Sequence, residues 1–414
     1  MALYVLKFGG TSVSNLARLE HVAQVVRQEI LNGNRIVVVV SAMAGITDQL
    51  VGYSQALCPH EATQEHDVVA SAGEQVTAGL LALALKKAGM KARSFLAWQI
   101  PIHTDSVSTN ARILHISPDK INESISQGEI PVVAGFQGMD KNYILTTLGR
   151  GGSDTTAVAL AVALKADRCD IYTDVDGVYT ADPRLVPEAR RQDTLSYNEM
   201  FEMAAAGAKV LQARSVEMAM KHGIKLRVLS SLTDSSKGTV IVDDEQTAKK
   251  GNITSIVHSL QEAKVTVRGL KNVPGIAAKL YTTMGQSNIL IDMMTQSHTL
   301  DGACDMDGMI SRSDIERFNE TMMKFKDDLG FTELSINKNV AKVTIVGIGL
   351  RSNMDIPALI CRTLADEGIN IYMIYSSEIK MSLVINQLCL QPALTALHKA
   401  FKLDQYPKIE KEAA

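Results

Sequence analysis

The chain has 414 residues, enough for two or three domains at roughly 150 residues each. Hydrophobic residues make up 46% and charged residues 21%, the mix of a folded globular protein and not of a disordered one. With 42 Lys+Arg against 45 Asp+Glu the net charge is -3 and no basic stripe is present, which argues against nucleic acid as the main ligand.

The N-terminus, Met1 to Lys7, runs straight into a strand-like stretch without a charged lead or cleavage site, so the expected location is the cytoplasm. Apolar runs such as Ile36 to Val40 and Ala157 to Leu164 fall short of the ~20 residues that cross a bilayer, so no membrane span is expected. Five scattered cysteines (Cys58, Cys169, Cys304, Cys361, Cys389) form no C-x-x-C pair and read as reduced thiols.

Tyr4 to Phe8 reads as a buried strand, followed by Gly9-Gly10-Thr11-Ser12 and a helix with Leu16, Leu19, Val26 and Ile30 on one face, ended by Gly33. Arg35 to Val40 is almost purely β-branched, the composition of a strand buried on both faces. A helix through Val68 to Ala88, a strand near Pro131 to Ala134, a helix from Thr155 to Leu164 and a strand at Cys169 to Thr173 continue the alternation. Ser196 and Glu199 are spaced as a capping box opening a helical region that reaches Gly223, before a strand from Lys225 to Leu229. This order implies an α/β domain with a mostly parallel sheet covered by helices on both faces.

The polar, turn-rich segments Thr233 to Gly238 and Asp243 to Asn252 mark a boundary, giving a first domain over 1–245. Beyond it, Val265-Thr-Val-Arg-Gly269 recurs 78 residues later as Val343-Thr-Ile-Val-Gly347, and the strands Leu290 to Met294 and Asn370 to Ile374 are offset by 80. A capping box at Ser313 and Glu316 opens a helix in the first copy, whose apolar face is Ile315, Phe318, Met322, Phe325 and Leu329. Each copy reads as a βαββαβ module, one over 253–335 and one over 340–414, with interleaving possible. Modules of this kind pair through their sheets.

Several stretches carry chemistry. Lys7-Phe-Gly9-Gly10 sets a lysine at a strand's carboxyl end before two glycines whose N–H groups can face an anion, a phosphate cradle in outline; an ordinary strand-to-helix turn is the competing reading. Gly149-Arg150-Gly-Gly-Ser153-Asp154 is more specific, since three glycines around an arginine forfeit chain entropy unless a backbone must approach a charged ligand. Ser71-Ala-Gly-Glu74-Gln75 places a carboxylate in an apolar helix, although a solvated glutamate fits equally well. Thr173 to Pro183 concentrates carboxylates at the sheet's carboxyl edge, where α/β ligands bind, unless it is a surface turn. No P-loop, protein-kinase signature, complete calcium loop or metal-ligand histidine spacing is found.

Lys7 to Val13, Ser41-Ala-Met43, Gly73-Glu74-Gln75, Thr147 to Asp154 and Tyr172 to Arg184 together resemble the aspartate kinases, over nearly the whole chain. The resemblance implies an amino-acid-kinase fold followed by two ferredoxin-like ACT modules. It further implies cytoplasmic phosphorylation of the L-aspartate side chain by ATP with Mg²⁺, the first step towards lysine, threonine and methionine. By resemblance Lys7, Arg150 and Asp154 are catalytic, and Thr47, Glu74, Arg150 and Ser153 bind the substrate. Lys7, Gly9, Gly10, Ser41, Thr173, Asp174, Tyr179, Asp182, Arg184 and Lys209 take the nucleotide, and no dedicated metal cage is expected. Asp292, Gln296, Asn370, Ile371, Ser377 and Glu378 are the effector candidates for lysine or threonine in a homodimer. Leu290-Ile291-Asp292 and Asn353-Met354-Asp355 depart from the usual ACT pattern. Two rival classes are a kinase for another acidic substrate, which should not need both Glu74 and Arg150, and a non-catalytic amino-acid sensor, which would not keep the charged kinase residues.

Overall fold

A computed structural model of the chain describes residues 1–58, 63–232, 237–243, 253–299 and 302–405. The chain divides into two compact units, Met1–Tyr179 with Arg191–Lys250, and Thr180–Arg190 with Gly251–Ala414. The segments 233–238 and 243–252 lie mostly outside the described residues. The excursion Thr180–Arg190, which a single boundary near 245 leaves with the first domain, belongs to the second unit.

The first unit is built on an eight-stranded sheet in the order Thr194–Ser196, Thr239–Val242, Leu226–Ser230, Arg168–Thr173, Leu3–Phe8, Arg35–Val40, Ile130–Ala134, Ala92–Phe95. Every neighbour is parallel except Leu226–Ser230 against Thr239–Val242. The central strands are buried apart from exposed Arg35 and half-buried Tyr4 near their amino ends, as their β-branched composition requires. Leu6, Phe8, Val38 and Val40 pack against Leu19, Val22 and Val26 of the helix Leu16–Leu31 and Leu81 and Leu85 of the helix Gln64–Lys87. This second helix is long and apolar enough to suit a bilayer, with mean hydropathy 1.5, but its apolar stripe is part of that core. The helix Gly152–Ala163 is buried along its first ten residues against the strands Leu3–Phe8, Arg35–Val40 and Arg168–Thr173.

The capping box at Ser196 and Glu199 forms, with each side chain accepting from the other's backbone N–H. The helical region after it is two helices, Tyr197–Ala206 and Ala213–His222, because Gly207 takes a φ of 115° and caps the first. Four short strands, Ile113–Ile116, Ile102–Thr104, Gln137–Met139 and Leu145–Thr147, make a further sheet that the sequence pattern does not reveal. Three or four residues are too few for an alternation to register.

The second unit holds two four-stranded antiparallel sheets. The first module runs from Glu262 to Asn337, with strand order Ile291–His298, Cys304–Ser311, Glu262–Leu270, Glu333–Asn337. Its core includes the predicted Ile315, Phe318, Met322 and Leu329, with Phe325 partly buried against it. The expected Ser313 and Glu316 box is absent, since the helix starts at Ile315 after a 3₁₀ turn whose cap is the Ser311 hydroxyl. The second module has the order Ile253–Ser259, Val340–Gly347, Lys380–Asn386, Ile371–Ser376. Its fourth strand comes from before the first module, so 253–259 leaves the expected first copy, which sits inside the second. Ala181 and Val186 of the excursion are buried in this second core. The Thr180 carbonyl accepts from Ile256 N at 2.8 Å, and its hydroxyl lies 3.0 Å from His398 Nε2.

One buried charge network ties the first sheet together. Asp170 is fully buried and accepts paired bonds from Arg168 (2.7 and 3.0 Å) and from Arg227 on the neighbouring strand (3.1 and 2.6 Å). Asp170→Ala, which leaves two mostly buried guanidinium groups with only Glu29, 3.9 Å from Arg227, as a carboxylate partner, is expected to cost about 3 kcal/mol. A lower urea midpoint for the first unit checks this, with Lys87→Ala on the exposed Glu20 pair as the unchanged control.

Candidate functional site

The strands Leu3–Phe8, Arg35–Val40, Ile130–Ala134 and Arg168–Thr173 run parallel, so their carboxyl ends lie on one edge of the sheet, the edge at which open α/β sheets bind ligands. Lys7 is buried one residue before the end of its strand, and its Nζ lies 2.7 Å from Oδ1 of Asp154, in the first turn of the helix Gly152–Ala163.

The two glycines after Lys7 do different work. Gly9 donates its N–H to the Tyr172 carbonyl at 3.1 Å, so this group does not serve the expected cradle. Gly10 opens a 3₁₀ turn, Gly10–Val13, in which Ser12 N–H bonds the Gly9 carbonyl at 2.9 Å while the N–H of Gly10 itself, at the start, has no partner within the turn. A side chain at Gly10 would place Cβ 2.9 Å from the Ala42 carbonyl, which is how closely the loop after Val40 approaches.

That loop also orients Glu74. Gly73 lets the helix Gln64–Lys87 touch Ala42, since a Cβ there would stand 2.6 Å from Ala42 Cβ. Glu74 Oε1 then accepts from Ala42 N at 3.0 Å, while Oε2 is buried without a hydrogen-bond partner among the described residues. Only 3% of the residue is exposed, so the solvated reading fails. Burial pushes its carboxyl up to about 7, against the opposing pull of the Ala42 N–H and the Lys7 charge.

In the glycine loop, Gly149 (φ 76°) and Gly151 (φ 68°) adopt the left-handed backbone that favours glycine. A Cβ on Gly152 would stand 2.8 Å from Leu148 Cβ, and one on Gly135 would stand 2.8 Å from Ser153 Cβ. The glycines therefore let the helix start press against the edge of the sheet, with Ser153 and Asp154 buried. Arg150 stays exposed, with no hydrogen-bond or ion-pair partner among the described residues. Gly151 abuts the Gln212 side chain, bringing the turn that carries exposed Lys209 beside the loop.

Other predicted residues are placed as follows. Thr47 is half-buried in the first turn of the helix Ile46–Leu57, and Ser41 is half-buried where its N–H meets the Phe8 carbonyl at 3.1 Å. Thr173 donates its hydroxyl to Asp174 at 3.0 Å. The Tyr179 hydroxyl bonds Asp176 at 2.7 Å, and burial and this bond raise its pKa. Asp182 and Arg184 lie in the excursion of the second unit, where they hold each other by two bonds of 2.9 and 2.7 Å.

Among the effector candidates, Gln296, Asn370 and Glu378 are exposed and Ile371 is half-buried. Asp292 is exposed but engaged by Lys342 at 2.9 Å, and that charge keeps its carboxyl below the usual range against the opposing effect of partial desolvation. Ser377 closes the turn between the last two strands of its sheet, accepting from Lys380 N at 3.2 Å. Sequence reasoning passed over Asp67, fully buried in the helix that carries Glu74 and bonded to Thr109 N and the Thr147 hydroxyl. An acidic residue two helical turns before Glu74 on the same face was the available signal.

The amino acid kinase family profile matches residues 2–230, and an ACT domain profile matches residues 343–401. An aspartokinase of Pseudomonas aeruginosa is 47% identical over 405 residues, covering 98% of both chains. One from Mycolicibacterium smegmatis is 42% identical over 97% of both. The crystal structure of Escherichia coli aspartokinase III in complex with aspartate and ADP superimposes with a TM-score of 0.84 at 25% identity, covering 96% of this chain and 99% of that one. On the family profile over more than half its length and on its full-length relatives, this chain belongs to the amino acid kinase family, among the aspartokinases.

Proposed function

We propose that the chain transfers the γ-phosphate of MgATP to the side-chain carboxylate of L-aspartate, giving 4-phospho-L-aspartate in the cytoplasm as the first step towards lysine, threonine and methionine. The observation that carries the reading is the buried Lys7–Asp154 pair at the end of the first strand, with buried Glu74 close enough to feel the Lys7 charge. That the E. coli relative was solved with aspartate and ADP supports the two substrates.

The acceptor carboxylate is ionised at neutral pH, its ordinary pKa being about 4, so no general base is required. The task is to hold two anions together. Lys7 meets this by offering charge to the phosphoryl oxygens from a site where little water screens it. The Gly10 N–H adds a donor. Arg150 presents a free guanidinium fork to the substrate's α-carboxylate, and the unpartnered Oε2 of Glu74 accepts its ammonium group. Thr47 and Ser153 line the same pocket, while Ser41, Thr173, Asp174, Tyr179, Asp182, Arg184 and Lys209 serve the nucleotide. Asp154 and Asp174 offer carboxylate oxygens, the donors that suit Mg²⁺ carried in on a nucleotide; when bound, the ion neutralises charge on the phosphates.

Control by lysine or threonine, acting on a homodimer through the paired modules, completes the reading. Gln296, Asn370 and Glu378 are open for an amino acid's polar ends. Asp292 and Ser377 are already bonded, so an effector using them must displace Lys342 or open the turn at Lys380.

An ATP-dependent hydroxamate assay on aspartate tests the activity. Lys7→Ala is expected to lower kcat by ~10² to 10³ in a protein that stays folded by circular dichroism. A drop of less than fivefold would remove Lys7 from the reaction.

Glu74 gives a pH dependence with a defined sign. Its raised pKa favours the protonated acid in the free protein, so its stabilising contribution is complete below about 4.5 and is lost as pH rises through about 7. Ammonium binding needs the ionised form, so the aspartate KM should fall as pH rises through about 7. Glu74→Gln should flatten that profile, and its stability relative to wild type should grow over the same rise in pH.

For regulation, calorimetry should detect lysine or threonine at millimolar concentration or below, with an accompanying 5- to 150-fold change in apparent aspartate affinity, the usual range of allosteric coupling. No heat and unchanged kinetics would leave the modules an assembly role only.

A further inference from the structure

Asp67 is an ionisable side chain in the interior, and none of the roles above uses it. It is 0% exposed, in the first turns of the helix Gln64–Lys87. A carboxylate near a helix start interacts well with the helix dipole from the surface too, so the dipole does not account for its burial. Its bonds do. Oδ1 accepts from the Thr109 backbone N–H at 2.9 Å and from the Thr147 hydroxyl at 2.5 Å.

Both partners flank the glycine loop. Thr147 ends the strand Leu145–Thr147, three residues before Arg150, and its carbonyl is held from the other side by Ala111 N at 2.8 Å. Thr109 has a φ of 63°, an unusual backbone for a β-branched residue, at the point where its N–H meets Asp67. The next residue, Asn110, sets its side-chain oxygen 2.9 Å from where a Cβ on Gly149 would stand. Arg150 itself has no partner among the described residues, so the loop backbone is the only element here that sets where its side chain starts from.

We propose that Asp67 is a positioning residue for substrate recognition: through Thr147 and Thr109 it fixes both flanks of the loop that carries Arg150. The inference rests on the reading of Arg150 as the group that meets the aspartate α-carboxylate. Because both bonds fall on one oxygen, an amide oxygen can take the same two donors.

Steady-state kinetics in the hydroxamate assay test it. Asp67→Ala should raise the aspartate KM by about 10- to 100-fold, the scale of a misplacement near 1 Å, with the ATP KM within about twofold. Asp67→Asn should restore the aspartate KM to within about fivefold of wild type, because Oδ1 keeps its acceptor role. Thr147→Val, which removes one bond only, keeps the test open if Asp67→Ala does not fold, and should raise the aspartate KM in the same selective way. In the double variant Asp67→Ala/Arg150→Ala, the aspartate KM should be no worse than in Arg150→Ala alone, since a residue acting through Arg150 has nothing left to position. An unchanged aspartate KM in folded Asp67→Ala or Thr147→Val, equal rises for both substrates, or multiplying effects in the double variant would each overturn the inference. If those results appear while Arg150→Ala alone still raises the aspartate KM, only the role of Asp67 falls. An unchanged aspartate KM in Arg150→Ala overturns the reading beneath it as well.

Discussion

The Lys7–Asp154 ion pair is the contact around which the rest of the catalytic unit is arranged. It joins the first strand of the chain to a helix that begins 145 residues later, and it does so with water largely excluded. A pair in such surroundings is held by geometry, because charges removed from water are costly unless their partners are well placed. The neighbouring features serve that geometry. Gly152 and Gly135 let the helix start come close enough, Gly9 ties the loop after Lys7 to Tyr172, and the mostly buried strands on either side leave Lys7 little freedom to move.

A buried cation next to a raised, half-satisfied carboxylate is also an unfinished arrangement. Glu74 keeps one oxygen bonded and one bare among the described residues, and Arg150 is exposed on the glycine loop. A zwitterionic ligand offers what each of these lacks. On the proposed reading one small zwitterion meets both groups, which is a physical basis for selecting an amino acid ahead of any particular side chain.

What the sequence made legible follows from how far each signal extends along it. The strands Leu3–Phe8 and Arg35–Val40 are unbroken apolar runs, and Ser196 and Glu199 lie three residues apart, so local pattern suffices. Lys7, Glu74 and the glycine loop could be singled out by residue type and spacing, although a strand-to-helix turn and a solvated glutamate fitted two of them as well. The burial of Glu74 was not, since it depends on Ala42 approaching Gly73 across 31 residues of chain. The short strands around Gln137–Met139 carry too little pattern to read. The capping box expected at Ser313 fails for a related reason, as Ser311 two residues earlier claims the turn. That Asp292 is paired with Lys342 was not legible, since folding brings the two together across 50 residues of chain. The repeat announced two modules, yet could not say that the strand Ile253–Ser259 closes the second sheet, because pairing partners leave no mark on a strand's own composition.

The excursion Thr180–Arg190 bears on how such a protein can be divided. The chain passes from one compact unit to the other at three points, not one, and the buried Ala181 and Val186 belong to the second core although they are encoded in the middle of the first. A gene split at the polar linker would therefore yield a kinase fragment carrying an apolar loop with no core to enter, and a regulatory fragment with a gap in its own. A fusion made at the linker alone would leave the same gap, because Ala181 and Val186 reach the second core from a different stretch of the chain.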